Sequence, residues 1–420
     1  MCTVVHAADQ ERASTPAAGA NAGKPGRRAP KLEPAAIKPS KLTVRLDWVG
    51  RAPSKTNLSS PVAAGNTLLL IDQWGWLDAW DGANTRTLLS ATNLPAGVTL
   101  VEPEGLLNVA ANADGSRLYV MFTSSTVPGS IPQRLSPRPG ADAWHVLYRF
   151  DFDGTTLSNP VAITALQVRH DGHTGGGLTL IDDSTLLFAT GDNGDAGEDG
   201  RTWAQDPANH LSKLVSIDVA TGATNVVAIG VRNVQHLIVD ANNGDPHVVV
   251  GDIGGWIAEE IGAIRVDDLF TSTPLNLGWG RNDDGKAREG TFYIDVDGTA
   301  VGAATVPESR FVQPIAQFGR EGAEFVAVTG PVASDSSFNR IRYLLGDLVS
   351  GSVYALTGGP TTGGQSVNRV ALVDSASRSI TLRALAGGGR PDPRFFNFAD
   401  GTAGVLLEAT GDFYRLTEVR

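Results

Sequence analysis

The chain has 420 residues, 41 per cent hydrophobic and only 19 per cent charged, so it can bury a sizeable core and is neither disordered nor fibrous as a whole. Its 49 glycines and 23 prolines exceed average usage and mark a turn-rich β protein. One cysteine, Cys2, excludes a disulfide framework, a cysteine-rich zinc site and a covalent CxxCH haem. No apolar run approaches the roughly 18 residues that cross a bilayer.

The net charge of −11 is unevenly placed. Residues 1–41 carry seven Lys/Arg against three Asp/Glu, or +4, which leaves 27 against 42, or −15, for the rest. An acidic body repels phosphate backbones, so nucleic acid is not an expected partner. Residues 1–41 are rich in Ala, Pro and Lys without a hydrophobic period, and read as a disordered tail ahead of one domain spanning 42–420. The small residues that end Met1–Ala8 suit the remnant of a trimmed leader, which points to a periplasmic or secreted protein.

From Leu42 onward one grammar repeats: a short alternating apolar run, a turn signal, another run. Leu68–Gln73 and Trp76–Trp80 flank a Trp-Gly turn, and 116–123 follows Asp114-Gly115. The run 145–151 leads into Asp153-Gly154, and 178–181 and 186–190 bracket Asp182-Asp183-Ser184. Residues 214–219 lead to Thr221-Gly222, and 405–408 and 413–416 flank Thr410-Gly411-Asp412. These are period-two strands in hairpins; short helical turns are expected only around 204–211 and 257–261. Many short antiparallel strands over about 380 residues must hide their edges, and a radial propeller does so at this length where one sandwich does not. Period counting at 40–50 residues per blade allows six to eight blades. The longest irregular stretches, 127–141, 192–209 and 267–291, are of the length that usually carries function.

HExxH, GxxxxGK[ST] and GxSxG are all absent, which leaves the zincin and P-loop readings without support and weakens a serine-hydrolase one. Among seven histidines, His173 stands out because Gly175-Gly176-Gly177 follow it closely and leave one side of the ring open to a flat ligand or sugar. A neutral imidazole is the usual general base near pH 7, although an exposed loop histidine is the plainer reading of so short a motif. The run Thr190-Gly191-Asp192-Asn193-Gly194-Asp195, with Glu198 and Asp199, gathers hard oxygens suited to calcium but lacks EF-hand spacing, so a solvated loop explains it equally. Arg232 and Asn233, at a strand entrance, can clamp an anion or carbonyl, or Arg232 can be a surface cation. Trp256 and Trp279 lie beside glycines and offer a stacking wall or core packing. Arg390 and Arg394 bring two guanidinium groups close enough for a polycarboxylate or for a loop salt bridge.

The order of these motifs is more specific than any one of them. EGLLNVA at 104–110, HTGGGL at 173–178, TGDNG at 190–194, AQD at 204–206 and HLSKLVSID at 210–218 come in sequence. GVRNVQH at 230–236, GDIGGWIAEEI at 251–261, NLGWG at 276–280, YLLGDLVSGSVYAL at 343–356 and the closing hairpin at 400–416 follow. Over roughly 43–418 this resembles the soluble PQQ-dependent glucose/sorbosone dehydrogenase family, the aldose sugar dehydrogenases. The resemblance implies an all-β, six-bladed propeller of four-stranded blades, with pyrroloquinoline quinone (PQQ) at the mouth of its channel. It gives His173 the role of base toward the sugar's anomeric hydroxyl, and Arg232 that of polarising the quinone carbonyl. Gln73, Asn193 and Asn233 face cofactor or substrate, the Gly254 and Gly255 carbonyls hold the cofactor's calcium, and Glu260 matches a structural calcium site. The chain departs from the pattern at GVRNVQH, where the family has GLRNPQG, which puts His236 in place of a glycine. Gly172 precedes the base, and Val349 stands where a lysine would pair with a PQQ carboxylate, a loss that Arg390 and Arg394 are placed to offset.

The expected activity is therefore oxidation of an aldose at its reducing carbon, with electrons passed to an external acceptor because the chain has no haem motif. The rival expectation is a non-catalytic propeller that binds a glycan, a metabolite or a protein.

Overall fold

In a computed structural model, the described residues are 35–53, 57–102, 104–136, 140–170, 172–194, 203–241, 244–255, 257–281, 287–294, 300–303, 311–319, 328–333 and 337–419. Six antiparallel sheets stand around a central axis as the blades of a β-propeller. Blade 1 is Val62–Ala64, Thr67–Asp72, Trp76–Trp80 and Thr85–Leu89. Blade 2 is Leu106–Ala111, Arg117–Ser124, Ala143–Phe152 and Leu157–Val168, with Gln133–Arg134 added in parallel outside. Blade 3 is Gly175–Leu180, Thr185–Thr190, Lys213–Asp218 and Thr224–Ile229. Blade 4 is Leu237–Asp240, His247–Asp252, Ala258–Arg265 and Ala316–Gly319, and a small four-stranded sheet between residues 280 and 303 is inserted before its last strand. Blade 5 is Val328–Ala333, Tyr343–Asp347, Val353–Leu356 and Asn368–Arg369.

Blade 6 joins the two ends of the domain. Its inner strands are Pro393–Asn397, Ala403–Leu407 and Asp412–Val419, and the N-terminal strand Thr43–Arg51 pairs antiparallel with the last of them from Thr43↔Val419 to Arg51↔Asp412. Closure by chain ends leaves no open seam between the first and last blades. Residues 35–41, which composition groups with the tail, pack on the propeller. Ile37 is buried against blades 4 and 5, and Lys38 N–H donates to Val367 O while its carbonyl accepts Arg369 N–H. Residues 1–34, on which the expectation of a leader remnant falls, lie outside the described residues.

The core consists of one main apolar cluster per blade interface, with a small second one, Ala143, Val168 and Leu211, between blades 2 and 3. In blade 1, Leu69 and Ile71 pack toward blade 2, while Leu68 and Leu70 pack toward Phe396, Leu406 and Phe413 of blade 6. Period two therefore holds for which neighbour a side chain meets, but both faces are apolar, and Thr67–Asp72 is buried at every position. Clear alternation of burial survives on Thr43–Arg51, at the outside of its blade. The helical turn expected near 204 is present at residues 203–205. It is held by the buried Lys213 ammonium, which donates to the carbonyls of Trp203, Ala204 and Leu211. The turn expected at 257–261 is instead part of the strand Ala258–Arg265, because its apolar residues pack between blades. Among the described residues no helix is long and apolar enough to span a membrane.

Two predictions follow from this packing. Phe413 is fully buried, edge-on to Trp80 at 5.0 Å between ring centroids, on the strand that closes the ring. Phe413→Ala should cost about 3–5 kcal/mol in denaturant unfolding; a loss below about 1 kcal/mol would show that the seam is not cooperative. Burial pushes His145, edge-on to Phe188, down to about 3, and His210 down to about 4. The unfolded chain takes up these protons below the ordinary histidine range while the folded one does not, so stability should fall as pH drops from about 6.5 toward 4. His145→Phe should make that slope shallower; equal slopes would contradict the assignment.

Candidate active site

In an antiparallel blade, the loop entering the first strand and the loop leaving the second lie at the same end. His173 precedes the first strand of blade 3, and Arg232 and Asn233 precede that of blade 4. Asp252 ends the second strand of blade 4, and Asp192 lies two residues past that of blade 3. Topology alone thus brings these five residues to one mouth of the channel.

The His173 ring is fixed from one side. Its Nδ1 lies 2.9 Å from Oδ1 of Asp192, which is fully buried, so Nδ1–H donates and Nε2 carries the lone pair. Burial alone would raise the Asp192 carboxyl, but His173 and Arg232 outweigh it and hold it below the usual carboxylate range. An Nη2 of Arg232 approaches Nε2 at 3.5 Å. The backbone of His173 is left-handed, at φ 43°, and its carbonyl accepts Asn193 N–H at 3.0 Å. A side chain at Gly191 would sit 1.7 Å from that carbonyl, and one at Gly175 would sit 2.2 Å from the Ala189 carbonyl. The glycines around His173 therefore serve mainly to let two loops touch. Gly175 and Gly176 also line the cavity, whereas Gly177 is closed in by Val234 and Leu237.

Arg232 is held at three points. Its N–H and that of Asn233 donate to the Asp252 carboxylate at 2.7–3.1 Å. Its Nη1 donates to Ile253 O at 3.1 Å, and its guanidinium lies 5.4 Å from the ring centre of Trp279. Trp279 is thus neither a free stacking wall nor plain core, but a support for Arg232. Burial raises Asp252 to about 6, with Asp192 adding to the rise, while the two N–H groups oppose it. Asn233 also accepts Gly175 N–H at 3.2 Å, which links the two loops.

A polar cavity of about 530 Å³, its open mouth included, lies over this cluster. Ser59, Ser60, Gln73, Glu104, Leu107, His173, Asn233, Gln235 and Arg394 line it. Arg394 donates to Gln235 at 2.9 Å and to Glu408 at 2.8 Å, a bridge from blade 6 to blade 4. Arg390 pairs instead with Asp392 and is not on the wall. Val349 lies in a turn closed by Asp347, and Leu348 O of that turn accepts Asp392 N–H at 3.1 Å. The segment carrying Arg394 is therefore packed against the turn that bears Val349. Asn193 stands behind His173, where its Oδ1 accepts Arg169 N–H at 3.1 Å. His236 is half-buried and off the cavity wall, and burial and Arg394 push its ring down to about 4.

Gly254 and Gly255 adjoin Arg232 from the other side. Their N–H groups donate to the buried carboxylates of Glu259 (3.3 Å) and Glu289 (2.9 Å). Glu260 pairs in register with Asp252 on the neighbouring strand and is not on the cavity wall. Among the described residues no three His, Cys, Asp or Glu side chains gather as a metal cluster. Asp195, Glu198, Asp199 and Trp256 lie outside the described residues.

Asp192 and Asp252, the partners of His173 and Arg232, stand at positions that the sequence motifs do not mark individually, but the chain carries a signal for them. In five blades a buried acid ends the second strand or follows it within two residues: Asp72, Asp192, Asp252, Asp347 and Glu408. Each holds a neighbouring loop or cation: Trp74 N–H, His173, Arg232 and Asn233, Val349, or Arg394.

A six-bladed propeller with a histidine–carboxylate pair, an adjacent guanidinium and a polar cavity at one mouth defines a class of channel-mouth binding and catalytic proteins. The sequence profile of the glucose/sorbosone dehydrogenase family matches residues 59–316, and the chain belongs to that family. The fold is similar to the PQQ-bound aldose sugar dehydrogenase of Streptomyces coelicolor, at 18% identity and TM-score 0.55, over 91% of this chain and 99% of that one. It is also similar to a "putative oxidoreductase (glucose dehydrogenase)" of Thermus thermophilus, at 16% identity and TM-score 0.54, over 90% and 100% of the two chains. No curated protein matches.

Asp252 supports both Arg232 and Asn233 through the backbone, and this separates its two variants. Asp252→Ala should destabilise by roughly 1–3 kcal/mol for each buried N–H left without an acceptor. Asp252→Asn keeps an acceptor oxygen and should recover most of that loss in thermal melts. Equal loss in both variants would contradict the backbone role.

Proposed function

We propose that the protein is a PQQ-dependent sugar dehydrogenase that oxidises an aldose at its reducing carbon. The observation that carries this reading is the His173 Nε2 lone pair, fixed by Asp192 on the far side of the ring and set 3.5 Å from the Arg232 guanidinium beside a polar cavity. When bound, PQQ supplies the two-electron acceptor that takes hydride from the sugar carbon.

The residues present suit such a group. Gln73, Asn233 and Arg394 line the cavity and would supply amide and cationic donors to a carbonyl- and carboxylate-bearing ring system, and Arg232, buried and not on the wall, stands next to the His173 ring, which is on it. Calcium would sit at the Gly254 and Gly255 carbonyls, beside the Glu259 and Glu289 carboxylates, which favour a divalent cation nearby. Glu260 would serve a separate structural calcium.

His173 Nε2 accepts the hydroxyl proton of the sugar. Asp192 keeps Nδ1–H in place during that transfer and stabilises the imidazolium that results. Arg232 presents positive charge where negative charge grows on oxygen, and its triple support means it need not reorganise. With no haem motif in the chain, an external acceptor would be needed to take the electrons.

Purified protein with calcium, PQQ, an aldose panel and an electron-accepting dye tests this directly. Dye reduction should need both PQQ and sugar and vanish in His173→Ala. Asp192→Asn should lower kcat by about 10²–10⁴-fold with PQQ affinity kept. Saturable sugar binding without turnover under any of these conditions would favour a non-catalytic glycan-binding propeller instead.

A further inference from the structure

The AQD motif at 204–206 stands off the cavity wall, yet its glutamine reaches the support of Arg232. Gln205 Nε2 donates to Trp279 O at 2.5 Å and to Asn276 Oδ1 at 3.2 Å. Its Oε1 accepts from Asn276 Nδ2 at 2.7 Å, so the two side chains are joined amide to amide. Asn276 Oδ1 also accepts Gly278 N–H at 2.8 Å, which ties the pair to the NLGWG turn on both sides of the Trp279 peptide.

Both ends of this link are anchored. Gln205 closes the turn at 203–205, whose Trp203 and Ala204 carbonyls are held by the buried Lys213 ammonium at 2.7 and 3.1 Å. Asn209 Nδ2 donates to the same Trp203 carbonyl at 3.1 Å. Gly230, two residues ahead of Arg232, donates its N–H to Ala204 O and accepts Trp279 N–H, each at 2.9 Å. Gly230 is left-handed at φ 71°, and a side chain there would sit 2.6 Å from Asn276 Oδ1 and 2.8 Å from Gln205 Nε2. The amide pair therefore lies directly against the turn that carries Arg232. Beyond it, the Trp279 ring lies 5.4 Å from the Arg232 guanidinium, and a side chain at Gly255 would come within 2.8 Å of that ring.

A guanidinium stabilises a developing charge only if it is already in place when the charge grows. A misplacement of about 1 Å at such a group can cost roughly 10²-fold in rate. We propose that Gln205 is a positioning residue: by fixing Trp279 and the Gly230 turn together, it sets the Arg232 guanidinium beside His173. Its consequence for turnover rests on the sugar-dehydrogenase reading above.

The test compares wild type with Gln205→Ala and Gln205→Glu, each also made in a Trp279→Phe background. Gln205→Glu keeps the size of the side chain and an acceptor for Asn276, but it turns an oxygen toward the Trp279 carbonyl. The near-UV circular dichroism of Trp279 is taken without PQQ, as the difference between each protein and its Trp279→Phe counterpart. That band should lose most of its amplitude in both variants. With PQQ, calcium, aldose and dye, kcat per PQQ-titrated site should fall about ten- to a hundredfold in both, with KM for the sugar kept. In the Trp279→Phe background the same substitutions should cost less than about threefold further, since the two residues act as one unit. An unchanged Trp279 band in Gln205→Glu, a wild-type kcat in it, or a loss confined to KM would overturn the assignment. A collapsed Trp279 band in a protein that never oxidises a sugar would contradict the dehydrogenase reading and leave the role of Gln205 standing.

Discussion

At the channel mouth, the structure depends on buried acids at or just past the ends of the second strands. An ionised side chain taken out of water must be matched by donors or cations, or it costs more than the fold can supply. Asp192 meets that demand with His173, Asp252 with two backbone N–H groups, and Glu408 with Arg394. Each acid therefore dictates the path of the loop that satisfies it. The blades place the acids, and the acids place the loops that bear the reactive groups.

The strained backbone near the site follows from the same constraint. His173, Asn193 and Asp392 all adopt positive φ without being glycine, and such conformations persist only where surrounding contacts over-determine them. Around His173 these contacts come from Asp192, from Asn193 N–H and from the close approach of Gly191. Behind them stand the six interblade clusters, which fix the second strands on both faces. A rigid scaffold holding a pre-oriented imidazole and guanidinium is what proton transfer beside a developing charge requires.

Much of this was legible in the sequence, for identifiable reasons. Turn signals mark hairpins locally, so most strands fall within a residue or two of expectation, as at Trp76–Trp80. The ordered motifs identify the propeller and bring His173 and Arg232 together. The partners of these two residues were not legible, because Asp192 lies 19 positions from His173, and Asp252 lies 20 positions from Arg232 across a hairpin. Asp192 also sits in a loop whose acids suggest a cation site. Both acids follow a glycine at a strand end, as Asp347 does, and that repeat becomes readable only once the blades are aligned. Asn193 matched a cofactor position by motif, yet its side-chain oxygen supports the backbone at Arg169. The Arg390/Arg394 pair separates because Arg390 lies ahead of the strand Pro393–Asn397, where Asp392 draws it off the wall.

The most direct measurement is a crystal structure of the protein grown with PQQ and calcium. The account predicts the cofactor in the cavity over His173, with a quinone carbonyl within hydrogen-bond distance of the Arg232 guanidinium and a carboxylate directed toward Arg394. An empty cavity at saturating PQQ, or a cofactor bound elsewhere on the propeller, would contradict it.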